Sequence, residues 1–271
     1  MAVLTLLPLS IAELEQEKLL PSDINELIIQ GSYPQIYSEK VSFERLYANY
    51  IQLYVERDVR QIKNIENIEL FQKFIRLCAG RIGQIVNYAS LANDCGINQV
   101  TAKTWIALLE ASYIVFQIQP YFNNYGKRLI KSPKLYFVDT GIACSLLKIR
   151  TPDELADHYL RSGLMESFII GDFLKQQYNN EQRPSLYFWR DLTGNEIDCI
   201  IDTARAPIPV EIKAGTTLTS DFFKTLQEWN TKNNTGGASY LVYNGTNDKQ
   251  WNGTQAVTWQ SAGTLIKKVI F

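Results

Sequence analysis

Three residues late in the chain have the types and spacing to do chemistry. Asp198 lies in Glu196-Ile197-Asp198-Cys199-Ile200-Ile201, and Glu211 and Lys213 lie in Pro209-Val210-Glu211-Ile212-Lys213. On a β-strand, residues two apart face the same side. Glu211 and Lys213 therefore project together while Val210 and Ile212 turn to the core. Asp198 belongs to the preceding strand, one short connection away, and is expected beside Glu211. Gathering two carboxylates and an ammonium on an otherwise apolar sheet face is costly. Phosphodiester hydrolysis uses that set: hard oxygen ligands for Mg²⁺ or Mn²⁺, and a cation near the attacking water and the scissile phosphate. A salt-bridged strand face without activity would carry the same residues, and that alternative stays open. A third acid, Glu166, sits in Leu164-Met165-Glu166-Ser167-Phe168, where apolar neighbours place it on a partly buried helix face. Glu196 shares the Asp198 side of its strand and reads as a surface or outer acid.

The elements that must position these residues follow from hydrophobic period and turn chemistry. Residues 161–178 read as a helix, and 186–190, 196–202 and 208–213 as strands. Residues 221–231 read as a second helix and 240–243 as a further strand. Asp191-Leu192-Thr193-Gly194-Asn195 supplies the first hairpin turn and Arg205-Ala206-Pro207 part of the second. The order is α-β-β-β-α-β. Upstream, Phe43, Leu46, Tyr47, Tyr50, Ile51, Tyr54 and Val55 form the stripe of an amphipathic helix, with Glu56 and Arg60 four apart near its end. Residues 88–93 read as a short helix, Asp94-Cys95-Gly96-Ile97 as a tight turn, and Asn98 as the cap of a longer helix with Val100, Trp105, Ile106, Leu108 and Leu109 inside. Strands at 113–119 and 135–138 follow, which is the order of a winged helix-turn-helix. Its second helix offers Lys103 as its only basic residue. Lys127, Arg128, Lys131 and Lys134 near the wing form a patch suited to phosphates, a solvated hairpin being the alternative.

Composition closes off other chemistries. The 271 residues are 46% hydrophobic and 20% charged, the profile of a globular chain with room for two domains. A net charge of −1 excludes a basic coat, so any DNA contact must be local. His158 is the only histidine, which removes Ser-His-Asp triads and His-rich metal sites. The four cysteines are scattered with no CxxC pair, as expected of reduced thiols in a cytoplasmic protein. Neither a signal peptide nor a membrane-length apolar run is apparent, and no glycine-rich phosphate loop occurs, so no ATP site is expected in this chain.

The Asp198, Glu211-Ile212-Lys213 and Glu166 pattern resembles the PD-(D/E)XK nuclease superfamily over roughly residues 154–271, with Ile197 where the family name has proline. The resemblance implies Asp198, Glu211, Lys213 and Glu166 as catalytic residues and Asp198, Glu211 and Glu166 as ligands of Mg²⁺ or Mn²⁺. Nearly the whole chain also resembles the C-terminal region of prokaryotic AAA-type ATP-binding proteins. That likeness is carried by Leu6-Leu7-Pro8-Leu9-Ser10-Ile11-Ala12-Glu13-Leu14, Gly31-Ser32-Tyr33-Pro34, Tyr54-Val55-Glu56-Arg57-Asp58-Val59-Arg60, the run from Lys131 to Gly141, and Tyr187-Phe188-Trp189-Arg190-Asp191. Residues 1–14 then read as the tail of an ATPase module, and an AAA-type ATPase module or subunit is the implied partner.

The expectation is an α+β protein with a helical segment over 1–60, a winged helix-turn-helix over 61–150 and a nuclease-like α/β domain over 151–271. Residues 148–152 mark the internal boundary. The implied function is metal-dependent phosphodiester chemistry on DNA in company with an AAA-type ATPase. The alternative is a non-catalytic module that binds nucleic acid or protein beside such an ATPase.

Overall fold

The computed structural model describes residues 4–54, 67–122, 132–233 and 238–270. The 55–60 part of the Tyr54–Arg60 motif, with the Glu56/Arg60 pair, lies outside them, as do Lys127, Arg128 and Lys131. The protein is mixed α and β and splits into two compact units whose segments interleave along the sequence. One unit takes residues 21–117 and 135–168; the other takes 1–20, 118–134 and 169–271. The chain therefore crosses between units several times and does not change over at a single linker.

The first of these units is helical. Its described helices are α2 (Ile24–Gln30), α3 (Pro34–Ser38), α4 (Phe43–Leu53), α5 (Ile68–Ala79), α6 (Tyr88–Cys95), α7 (Gln99–Ala111), α8 (Thr140–Leu147) and α9 (Pro152–Ala156); α1 belongs to the other unit. Most begin where a small polar side chain satisfies a free backbone N–H. Asp23 accepts from the Asn25 amide at 2.9 Å, Asn87 from Ser90 at 3.0 Å and Asn98 from Thr101 at 2.8 Å. Gly96, in the left-handed region at φ 84°, ends α6 and turns the chain toward α7. Trp105 on α7 packs edge-on against Phe71 and Phe74 of α5, centroids 5.1 and 5.2 Å apart. Val100, expected inside, is 74% exposed: the first turn of α7 projects past the core that Trp105, Ile106, Leu108 and Leu109 fill. The strands β1 (Val115–Pro120) and β2 (Lys134–Phe137) follow in the chain.

One buried acid ties this unit together. Asp139 caps α8 through the Gly141 amide at 2.9 Å and accepts the Tyr47 hydroxyl at 2.7 Å and the Ser32 amide at 2.7 Å. Gly31, at φ 69°, completes the turn after α2. A Cβ there would collide with the Tyr47 hydroxyl and the Asp139 carboxylate.

The other unit holds α1 (Ile11–Gln16), the later part of α10 (Arg161–Asn179), and β3 (Leu186–Arg190), β4 (Glu196–Ile201) and β5 (Ile208–Lys213). After them come α11 (Asp221–Asn233), β6 (Ser239–Tyr243), β7 (Lys249–Trp251), β8 (Thr254–Thr258), α12 (Trp259–Ala262) and α13 (Leu265–Ile270). A capping box at Ser10 and Glu13 starts α1. The segment is fixed by Asp172 of α10, which accepts the Ile11 amide at 2.6 Å, while Lys175 donates to the Leu9 carbonyl at 3.2 Å. The described strands form a mixed eight-stranded sheet in the order β2-β1-β3-β4-β5-β6-β8-β7. β3, β4 and β5 run antiparallel as a meander, and β6 joins β5 in parallel after the α11 crossover. Phe223, Leu226 and Trp229 of α11 cover Ile197, Ile200, Leu241 and Tyr243 of the sheet. Among the described residues no helix is long and apolar enough to cross a membrane.

Candidate active site

The carboxylates meet where β4 and β5 part. Tyr187 and Trp189 of β3, two residues apart, face Ile200 and Ile197 of β4, three apart, so β4 carries one extra residue at Asp198/Cys199. This bulge lets Ile197 and Ile200 enter the same core and turns Asp198 off the regular pleat. The β4–β5 ladder runs from Ile201 opposite Ile208 to Cys199 opposite Val210. Just beyond it the Ile212 amide donates instead to Asp198 Oδ2, at 2.8 Å. A side chain has replaced a rung of the ladder, which holds Asp198 beside β5.

Glu211 and Lys213 stand level with Leu241 and Tyr243 of the parallel strand β6, so the pair shares a face with apolar neighbours. Lys213 Nζ donates to Glu211 Oε1 at 2.5 Å, lies 3.8 Å from Asp198 Oδ2, and rests 6.0 Å from the centre of the Phe222 ring. Asp198 and Glu211 are 7% and 6% exposed, whereas the Lys213 side chain keeps 29%. Burial first, then the Asp198 charge, push the Glu211 carboxyl up to about 8, with Lys213 opposing.

The structure adds a residue that the sequence assigned elsewhere. Lys134, read as part of the phosphate patch, is only 3% exposed, and its ammonium is paired with Glu196 and lies 4.0 Å from Asp198 Oδ1. It is therefore a buried member of the carboxylate centre and not a surface contact for nucleic acid. Its place at the start of a fully buried strand is what withdraws it from solvent. Glu196, half-buried, holds Lys134 with one oxygen and faces Arg190 at 3.6 Å with the other. Glu166 is carried by the first half of α10, in the helical unit, where the Tyr136 hydroxyl donates to it at 3.2 Å. Lys103 is exposed on α7 and sits 5.6 Å over the Tyr88 ring.

Buried acids elsewhere in the described residues are fully engaged. Both oxygens of Asp139 accept hydrogen bonds, as do both of Asp172, whose carboxyl burial pushes up to about 6 against the lowering effect of the Ile11 amide. Glu211 differs. Its Oε2 is buried with no hydrogen-bond partner. A buried acceptor left in that state costs roughly 1–3 kcal/mol unless something outside the chain's own donors satisfies it. Among the described residues no three His, Cys, Asp or Glu side chains gather as a metal-binding group. Mg²⁺, however, is commonly held by one or two carboxylates, with waters and phosphate oxygens completing its shell. Asp198 and Glu211 fit that smaller donor set.

Two family models match consecutive stretches of the chain. Residues 21–153 match a domain of unknown function, DUF8612, and residues 161–262 match another, DUF4143. Uncharacterized proteins of Mycobacterium tuberculosis and Mycobacterium bovis are each 29% identical over 168 residues, 62% of this chain and 37% of the relative. An uncharacterized protein of Methanocaldococcus jannaschii is 27% identical over 133 residues, 48% of this chain and 28% of the relative. The chain thus aligns with well under half the length of these curated relatives. No solved structure matches.

Proposed function

We propose that this chain carries a metal-dependent phosphodiesterase centre of the nuclease type, acting on DNA as the C-terminal part of an AAA-type ATPase system. The observation that carries the reading is the partnerless Glu211 Oε2, buried beside Asp198 with the Lys213 ammonium alongside. The α10-β3-β4-β5-α11-β6 order, with a meander followed by a parallel strand, supports it as the frame such a centre uses. The DUF4143 match supports the ATPase association, since that domain is often found C-terminal to AAA ATPases.

In this reading Asp198 and Glu211 hold Mg²⁺ or Mn²⁺. Bound there, the ion would polarise a phosphate oxygen and acidify a water. Lys213, the most exposed member of the centre, orients that water or meets the charge that builds on the phosphate. Asp198 is kept in place by the Ile212 amide, so its position does not depend on the ion. The α6–turn–α7 pair with β1 and β2 supports a winged helix-turn-helix, with Lys103 on its exposed face and Lys127, Arg128 and Lys131 outside the described residues.

Conversion of supercoiled plasmid to open circles tests this. Wild type with Mg²⁺ or Mn²⁺ should nick, whereas wild type in EDTA and Glu211→Gln should not. The close Lys213–Glu211 pair favours a second reading, in which the centre is a closed ion-pair cluster inside a non-catalytic binding module. Absence of nicking under every condition, with binding to DNA or to an ATPase partner intact, would select it.

A further inference from the structure

The presence of Lys134 in the carboxylate centre has a consequence for any cation that enters it. Its ammonium is buried, is paired with Glu196, and stands 4.0 Å from Asp198 Oδ1. The other Asp198 oxygen is occupied by the Ile212 amide, so Oδ1 is the oxygen Asp198 has to offer an ion. A shift of about 1 Å would bring Lys134 into hydrogen-bond range of that same oxygen. Glu196 and Asp198 therefore contend for the Lys134 ammonium, and Glu196 is the nearer of the two. Glu196 is itself steadied from outside by Arg190 at 3.6 Å, so its grip does not depend on Asp198.

We propose that Lys134 is a built-in competitor for the divalent ion, held off Asp198 by Glu196, and that this pair sets the metal affinity of the centre. The inference rests on the metal-binding reading of Asp198 and Glu211 and adds the regulation of that site. Lys134 touches neither phosphate nor ion; it is a positioning residue acting through Asp198. The sign of each substitution follows from charge. Lys134→Met keeps the aliphatic stem over the Phe188 ring, 5.7 Å from the present ammonium, and removes one positive charge next to the ligand. Mn²⁺ should then bind more tightly, by on the order of tenfold. Glu196→Gln leaves Lys134 charged but weakens its alternative partner. The ammonium moves to Asp198, and Mn²⁺ should bind several-fold more weakly.

Isothermal titration of the full chain with Mn²⁺ alone, at fixed pH and ionic strength, reads both effects. Melting temperature without metal serves as a control for folding. A merely structural pair predicts that both variants lose affinity together as the site loosens. The proposal predicts opposite directions, tighter for Lys134→Met and weaker for Glu196→Gln. Changes in the same direction, or none in either variant while wild type binds Mn²⁺, would overturn it and leave the metal centre standing. No Mn²⁺ binding by wild type would overturn the centre and this inference together.

Discussion

Glu211 couples the chemistry of the centre to pH. Its carboxyl is pushed up to about 8 by burial and by Asp198, so the folded chain keeps a proton that the unfolded chain releases in the ordinary carboxylate range. Between those values the native state binds more protons than the unfolded one. Metal-free stability should therefore be greatest below the unfolded value and fall as pH rises to about 8, levelling beyond it. A divalent ion held as proposed by Glu211 would displace the same proton, so stabilisation by Mn²⁺ should be larger at pH 8.5 than at pH 6. Melting curves at both pH values check this, and a larger Mn²⁺ effect at pH 6 would count against it. Lys213→Ala should leave the Mn²⁺ response largely intact and still stop plasmid nicking, because in the proposed mechanism its ammonium serves the phosphate. Of these residues, Glu211 and Lys213 were legible in the sequence through the two-residue period of a strand, and Asp198 through the short connection that sets its strand beside theirs, both local signals. Lys134 was not. Its role depends on a pairing across distant segments, and a lysine beside other basic residues reads as surface until burial is known.

At the scale of elements, turn chemistry decides what is rigid. Gly31→Ala would require φ near 69° for an L-residue and drive a methyl into Tyr47 and Asp139. It should cost more than about 2 kcal/mol in urea unfolding. A loss under half that would mean that the Asp139 hub tolerates rearrangement. Most elements were readable from helical caps and strand alternation, including the α-β-β-β-α-β order. The bulge at Asp198 was not, because nothing local in Ile197-Asp198-Cys199-Ile200 marks an added residue. The β7–β8 hairpin was missed although its signal is present. Asn252-Gly253 between Trp251 and Thr254 is the favoured two-residue turn, and both residues have positive φ, 45° and 87°. The first turn of α7 misled in the other direction, since Val100 keeps the helical apolar spacing yet faces solvent.

For the whole molecule, the sequence suggested consecutive domains, whereas the contacts define two units whose segments interleave. Composition cannot reveal that, because it depends on which distant strands pair. If Lys127 and Arg128 meet phosphates, duplex affinity should fall with salt, and replacing both with Ala should flatten the log–log slope by roughly one to two units in fluorescence anisotropy. Lys134→Met should leave that slope unchanged, being buried. The central claim, that Asp198 and Glu211 form a divalent-ion centre, is tested most directly by melting temperature against Mn²⁺ concentration. Asp198→Asn is the matched variant, since its amide oxygen can still accept from Ile212 and keep the strand pairing. Wild type should gain about 2.7 kcal/mol at a hundredfold excess of Mn²⁺ over Kd, and Asp198→Asn should gain almost nothing. No shift in wild type at millimolar Mn²⁺, or a full shift retained by Asp198→Asn, would contradict the claim.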